Sequence, residues 1–487
     1  MKNTFAPVNK IPPEVLTLVP DHWEGSDGDE ALINLTHVCR GWRKLFISHT
    51  SLWTRLDCMN VDKTRAYIER SKTSPLEIYL KDANNTFCLV EAFLLAVPHI
   101  GRLRELSVSG NPAPVLPVLA EHFSCHVPLL SKLDINLVCD QASILPGTLF
   151  NGDLSSLREL RLTGVTTPLP WRGLSNLTTF SLCHVPEDGI LLTQLLDFFE
   201  SAPHLRHIRV HDSIPSSRNA PTERVVSLPH LKNLSIIAQT AHSILLDHLS
   251  ILAGASLHLE FAFSGRESSI LSYLRNPPDS LRNLSDITAV NLCFGSGQRS
   301  VRLSGPSGEL YVLGKWTSGG ERSTYGTGEF LRSLDRFDIS RTRWLAITLC
   351  GLQPSTNNDF PITARSNYKT LCSMKNLRTL TLSRSKNLIF ILALNPDQNP
   401  SKTVLCPKLE EIILYIDHPF DFHLNELLSM TEERASRGAK LSAITIVNTE
   451  AFAPTKTVFQ LRKNVSRVEY KFVDAPPEWD TLPSQVM

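Results

Sequence analysis

The sequence has almost no net charge. Its 49 Lys and Arg stand against 48 Asp and Glu, a formal balance of +1 over 487 residues. No overall field would draw it to nucleic acid or to an anionic membrane. Long hydrophobic runs are missing too. The longest, FCLVEAFLLAV and NLIFILAL, are far shorter than the roughly 20 apolar residues of a membrane-spanning helix. The opening KNTFAPVNKIPPEV is broken by prolines and lacks the apolar centre of an export signal. The ten cysteines are scattered, with no Cys-x-x-Cys pair. Without an export signal they read as reduced thiols that mostly fill core space. These absences predict a cytoplasmic or nuclear protein with no membrane partner.

Catalytic signatures are equally scarce. There is no Gly-x-Ser-x-Gly elbow and no His-Glu-x-x-His. His122, Cys125 and His126 crowd the segment EHFSCH, but zinc sites usually need four ligands and no second pair is visible. His204, His207 and His211 span a helix-to-strand junction, which does not favour convergence. Glu410 and Glu411 are neighbours at a strand entrance and read as solvated charge. No catalytic, metal or cofactor residue is assigned, and no enzyme activity is expected.

Residues 32–53, LINLTHVCRGWRKLFISHTSLW, carry more information. Leu32, Leu35, Val38, Cys39, Trp42, Leu45 and Phe46 recur at steps of three and four, which predicts one helix with a single apolar face. Cys39 on that face is a packed thiol rather than a nucleophile. Gly41 costs about 1 kcal/mol within a helix, so packing must compensate. Trp53 follows as an isolated anchor. Upstream, IPPEVLTLV predicts a shorter helix that starts at Pro12 and Pro13 and stops at Pro20. Residues 11–53 thus describe two or three helices around Trp42 and Trp53. A core below about 50 residues usually leans on something else.

The string IPPEVL…LINLTHVCRGWRKLF…SLW resembles an F-box. The continuation DKTRAYIERSKTSPLEIYL resembles the segment that follows the F-box in large families of mushroom-forming fungi. Ile11 stands where Leu is usual, and PDHWEGSDGDE lengthens the first loop. F-box modules dock on the Skp-type adaptor of cullin–RING ubiquitin ligases. The resemblance implies that Ile11, Pro12, Pro13, Val15 and Leu16 face that adaptor. Leu35, Val38, Cys39 and Trp42 would support the face or join it.

Beyond residue 76 a Leu-x-x-Leu-x-Leu pattern recurs. It begins at Leu103, Leu130, Leu157, Leu177, Leu205 and Leu231, with steps of 20 to 28 residues. It loosens at Leu257 and Ile287, then returns at Trp344, Leu377, Leu409, Leu441 and Val465. In Leu-x-Leu the two leucines point inward and the middle residue outward, as a strand requires. Stretches such as ILLTQLLDFFESAPH have helical spacing. One strand–helix unit cannot bury its own apolar face, but a stack can.

The pattern resembles degenerate leucine-rich repeats, with the usual turn asparagine mostly absent. The expected fold class is α/β. An all-α F-box bundle (residues 1–57) and a linking helix (58–75) precede an irregular repeat solenoid (76–487) with parallel strands and outer helices. A Gly-rich insertion at 295–328 holds nine of the 23 glycines and suggests strands joined by glycine turns.

The middle positions should form one face: Asp134, Arg161, Ser181, Arg209, Ser235, Asn291, Thr348, Thr381, Ile413 and Thr445. It has no basic stripe and no aromatic ladder, which argues against nucleic acid. The expected function is substrate recognition in an SCF-type cullin–RING ligase. The F-box would hold the adaptor and the repeats an unidentified target protein. Two rivals are a scaffold without a ligase role and an enzyme with its site in the Gly-rich insertion.

Overall fold

The structure is a computed structural model that describes residues 11–18, 27–81, 86–110, 117, 121–122, 126–137, 143–144, 150, 154–166, 173–185, 190–213, 224–238, 244–263, 281–295, 298–316, 334, 337–350, 364–383, 387–398, 402–416, 424–448 and 459–473. The chain divides into two compact units, Met1–Arg209 with Pro215–Pro221 and Val210–Ile214 with Thr222–Met487. Among the described residues no helix is long and apolar enough to cross a membrane.

The first unit opens with α1 (Pro13–Leu18), where the Pro12 carbonyl accepts from Val15 N at 3.0 Å and Leu16 N at 3.1 Å. Next come α2 (Asp27–Val38) and α3 (Arg40–Ser48), both packed together. The single helix expected across this stretch is broken at Cys39. Its backbone is extended (φ −158°, ψ 169°), and its Sγ accepts from Trp42 N–H at 3.4 Å, capping α3. Arg43 Nε reaches back to the Thr36 carbonyl at 3.0 Å and closes the end of α2. Gly41 therefore sits in a first turn, where its poor propensity matters least.

A 3-10 turn (Thr50–Trp53) carries the anchor. Buried Trp53 donates Nε1–H to the Phe46 carbonyl at 2.9 Å and meets Tyr67 edge-on at 4.9 Å. The Arg70 guanidinium covers its face at 4.3 Å. Tyr67 and Arg70 belong to α4 (Val61–Ser71). Flanking that helix, β1 (Arg55–Leu56) pairs in parallel with β2 (Leu76–Lys81). The amino-terminal module is thus joined to the sheet by a strand of its own.

After α5 (Thr86–Ala96) come β3 (Leu103–Gly110), β4 (Lys132–Leu137), a two-residue β5 (Ser143–Ile144), β6 (Glu159–Thr163), a two-residue β7 (Val165–Thr166) and β8 (Thr179–Cys183). Strands β2, β3, β4, β6 and β8 lie parallel in chain order, and β5 pairs with β7. The inward positions are apolar and buried, as Leu106, Leu133, Leu160 and Phe180 show. Helix α6 (Leu192–Ser201) meets that side: Phe198 lies 4.4 Å from the Phe180 ring. The unit boundary then falls within β9 (His207–His211).

The second unit contains β10 (Val226–Leu228), β11 (Asn233–Ala238), α7 (Ile244–Asp247), β12 (Leu249–Ile251) and β13 (Ala255–Phe263). Next are β14 (Ala289–Gly295), β15 (Gln298–Gly305), β16 (Gly308–Trp316) and β17 (Trp344–Cys350). The unit ends with α8 (Ala364–Ser373), β18 (Thr379–Ser383), α9 (Asn387–Leu394), β19 (Glu411–Ile416), α10 (Leu424–Ser436), β20 (Ala443–Asn448) and β21 (Arg467–Phe472). Neighbouring helices α8, α9 and α10 pack in turn.

The described part of the Gly-rich insertion is built into this sheet. Strand β16 runs parallel beside β13, β15 antiparallel beside β16, and β14 antiparallel beside β15. One reversed strand, β15, therefore sits among parallel ones. Its turn needs glycine: a Cβ at Gly305 would strike the Asp286 carbonyl, and Gly308, at φ +140°, would meet Asn283 Cβ at 2.8 Å. Residues 317–328 of the insertion lie outside the described residues.

Asparagine does bridge some repeats. Asn176 Nδ2 donates to the Ser155 carbonyl at 2.7 Å, and Asn376 Nδ2 to the Ser340 carbonyl at 2.9 Å. Both stand just before the first leucine of their repeat, Leu177 and Leu377. Arg434, fully buried on α10, fastens another turn by donating to the Leu405 and Cys406 carbonyls at 2.7 and 3.0 Å.

Candidate interaction surfaces

On the amino-terminal module, Ile11, Pro12, Pro13 and Val15 are all exposed, Val15 by 49%. Leu18, on the same short helix, is exposed as well. Leu16 turns inward and is only 7% exposed. It anchors α1 instead of presenting a contact, because a six-residue helix that packs on α3 must bury at least one large side chain. Leu35 and Trp42 are half-buried, and Trp42 lies edge-on to Phe46 at 5.8 Å. Val38 is 59% exposed and Cys39 is exposed too. The helix break explains both: it lifts them out of the apolar face on which an unbroken helix would place them. Two apolar outcrops result, one along α1 and one where α2 meets α3.

On the first unit's sheet, Tyr79, Ser107, Asp134, Arg161 and Ser181 stand in register across β2, β3, β4, β6 and β8. The expected positions Asp134, Arg161 and Ser181 are thus brought together, and Tyr79 and Ser107 extend the row. A second row, Glu77, Glu105, Lys132 and Glu159, runs beside it. Arg161 with Glu159 at 2.5 Å joins the two rows, Lys132 pairs with Glu105 at 3.5 Å within the second, and Arg104 pairs with Glu77. The Tyr79 hydroxyl donates between Glu77 at 3.2 Å and Glu105 at 3.4 Å, and Arg55 lies over its ring at 4.6 Å. Burial first, then the two carboxylates, pushes the Tyr79 phenol well above its ordinary value. Burial also raises the Asp134 carboxyl, against the opposing pull of Arg161 and Lys132. Arg209, exposed on β9, is the last expected position before the second unit.

The corresponding row of the second unit reads Ser235, His258, Tyr311, Arg302, Asn291, Ala346, Thr381, Ile413, Thr445 and Glu469. Thr348, expected in this row, lies two residues along β17 from Ala346, in the neighbouring row opposite Cys293. The repeat aligns on Leu345 and Ile347, and a slide of two residues keeps the same side chains outward, so alternation alone cannot detect it. The hairpin inserts a cluster that the repeat pattern does not announce: His258 and Tyr311 meet edge-on at 5.0 Å, with Arg302 over the tyrosine at 5.1 Å. Further along, Ala346, Thr348, Thr381, Ser383, Thr445 and Val447 are all buried. The hydroxyl of Thr348 has no hydrogen-bond partner.

Six of the cysteines among the described residues are not in disulfides. Burial pushes Cys58 and Cys406 up to about 12, so both are protonated at neutral pH. Cys125, the middle member of the His122–His126 group, lies outside the described residues. His204 and His207 are exposed and His211 is half-buried, 3.4 Å from Asp212.

No family model matches the chain, and no curated protein matches its sequence. Among solved structures, the chain is similar to one titled "Crystal structure of TLR13-ssRNA13 complex", at 15% sequence identity and a TM-score of 0.29. The match covers 76% of this chain and 46% of that one, so this chain spans about half of its length. A TM-score of that size transfers neither fold nor ligand.

Proposed function

We propose that this chain is the substrate-recognition subunit of an SCF-type cullin–RING ubiquitin ligase. The amino-terminal module would hold a Skp-type adaptor, and a sheet face would hold a target protein. The chain supplies proximity, which raises the local concentration of target lysines, while the transfer chemistry belongs to its partners. The exposed apolar side of α1 is the observation that supports this most. Pro13, Val15 and Leu18 sit in water on a helix too short to be stable alone, and Ile11 and Pro12, which lead into it, are exposed as well. The F-box resemblance lies in the same residues.

Purified full-length chain mixed with recombinant Skp-type adaptor tests this. We expect a stable complex with the wild type. Val15→Asp with Val38→Asp should weaken it at least tenfold without changing the melting temperature, because both side chains are already exposed. Absence of any complex with the wild type would sink the receptor reading.

A second reading has its own support. Strand β1 and the Trp53–Tyr67 contact make the module an end cap for the sheet, which a scaffold without a ligase role would also need. A wild-type chain that folds and captures other proteins but ignores the adaptor favours the cap.

A further inference from the structure

On the outward face of the first unit, the carboxylates of Glu77, Glu105 and Glu159 have ion pairs and, among the described residues, that of Asp134 has none. Asp134 stands at the centre of that face, between Ser107 on β3 and Arg161 on β6, with Lys132 two residues before it on the same strand side. Both neighbouring cations are committed elsewhere, Lys132 to Glu105 and Arg161 to Glu159. Three carboxylates therefore share two cations. Among the described residues Asp134 has no hydrogen bond and no ion pair of its own. Yet it is half-buried, and part-burying an unpaired carboxylate is costly. The fold does not need that charge, because the core lies on the opposite side of β4, at Leu133 and Ile135.

We propose that Asp134 anchors a docking surface for a target protein, which presents a lysine or arginine side chain to it across β3, β4 and β6. The charge count argues for this occupant. An incoming cation completes the third pair, whereas an anionic partner would add a fourth carboxylate to the same ring. The small side chains of Ser107 and Ser181 leave room on either side of the Asp134–Arg161 neighbours and offer hydroxyls to a visiting backbone. Closing the face excludes water and strengthens the new pair. A local defect in the free chain thus becomes an attachment point in the complex. The word target rests on the receptor reading above; the docking itself rests on this face.

The test uses the full-length chain in cells, with a photo-crosslinking residue at Ser107 or at Ser181. Captured protein is identified, and the lysine or arginine in its cross-linked segment is replaced by Glu. Capture should fall at least tenfold with Asp134→Lys and return when that variant meets the Glu-bearing partner. Asp134→Asn should also lose capture while melting at the wild-type temperature or above it, which separates recognition from folding. The proposal is overturned if neither position captures anything, if Asp134→Lys leaves capture unchanged, or if the charge swap fails to restore it. Adaptor recovery is scored in the same samples. Adaptor bound with no Asp134-dependent capture removes this inference and leaves the receptor reading. The reverse result removes the receptor reading and leaves the docking face.

Discussion

On β4 of the first unit the outward residue is Asp134, half-buried among ion pairs. On β18 of the second unit the equivalent position is Thr381, 4% exposed among other small buried residues. One strand carries Leu133-x-Ile135 and the other Leu380-x-Leu382, and both bury these side chains. The difference lies in the residue between them. Where that residue is charged, the face stays wet and each charge seeks a partner. At Ala346, Thr381, Ser383, Thr445 and Val447 the outward residue is buried as well, and the sheet becomes a core layer. Exposure of the outward face therefore does not follow repeat regularity.

The strongest way to break this comparison is to move charge into the buried face. Thr381→Arg should cost about 3–5 kcal/mol, while Ser107→Arg on the open face should stay within about 0.5 kcal/mol. Hydrogen exchange of β17–β19 and of β3–β4 reads the two effects separately.

A second contrast sets two arginines against each other. Buried Arg434 serves two buried carbonyls, and Arg434→Ala should cost about 3 kcal/mol in urea denaturation. Half-buried Arg102 serves Ser71 Oγ at 3.1 Å and the Ser74 carbonyl at 2.7 Å, and its alanine variant should cost about 1 kcal/mol. Glycines divide the same way. Gly308→Ala, strained and crowded, should lose about 2 kcal/mol, whereas a Cβ at Gly101 meets nothing within 4 Å and should be neutral.

The smallest effect has the opposite sign. Thr348→Val removes an unpaired buried hydroxyl and should gain about 1 kcal/mol, while Ser181→Val on the open face should change little.

One measurement should find the two units alike. Cys58 and Cys406 stay protonated up to about 12 in the folded chain, while an unfolded thiol ionises near ~8.5. Above that pH the unfolded chain holds fewer protons, so stability falls as pH rises. Alkylation of the native protein at pH 8 should label Cys39 first and these two last, since Cys39 is exposed.

Much of the sheet was legible in the sequence, because inward leucines at period two define a strand wherever they occur. Every repeat begun at Leu103, Leu130, Leu157 and Leu177 leads into one. Glycine turns likewise announced β15 and β16. What remained hidden needs the third dimension. A helical period cannot reveal that Cys39 leaves the helix to cap the next one, since its thiol competes with the backbone only once Trp42 N–H is in place. Nor can alternation distinguish Ala346 from Thr348, which share a face. Of the residues expected to face an adaptor, Ile11, Pro12, Pro13 and Val15 are exposed, but Leu16 was too large to stay outside a bundle this small.

The two residues of β1 have a consequence beyond their size. Hydrogen-bonded to β2, they tie the Thr50–Trp53 turn, and α3 before it, to the strands that follow. Whatever grips α1 also dictates the bearing of the Asp134 face, as a handle forged in one piece with a tool fixes where the blade points. An insertion of flexible glycines between Trp53 and Arg55 would unlock that alignment while keeping every contact surface present.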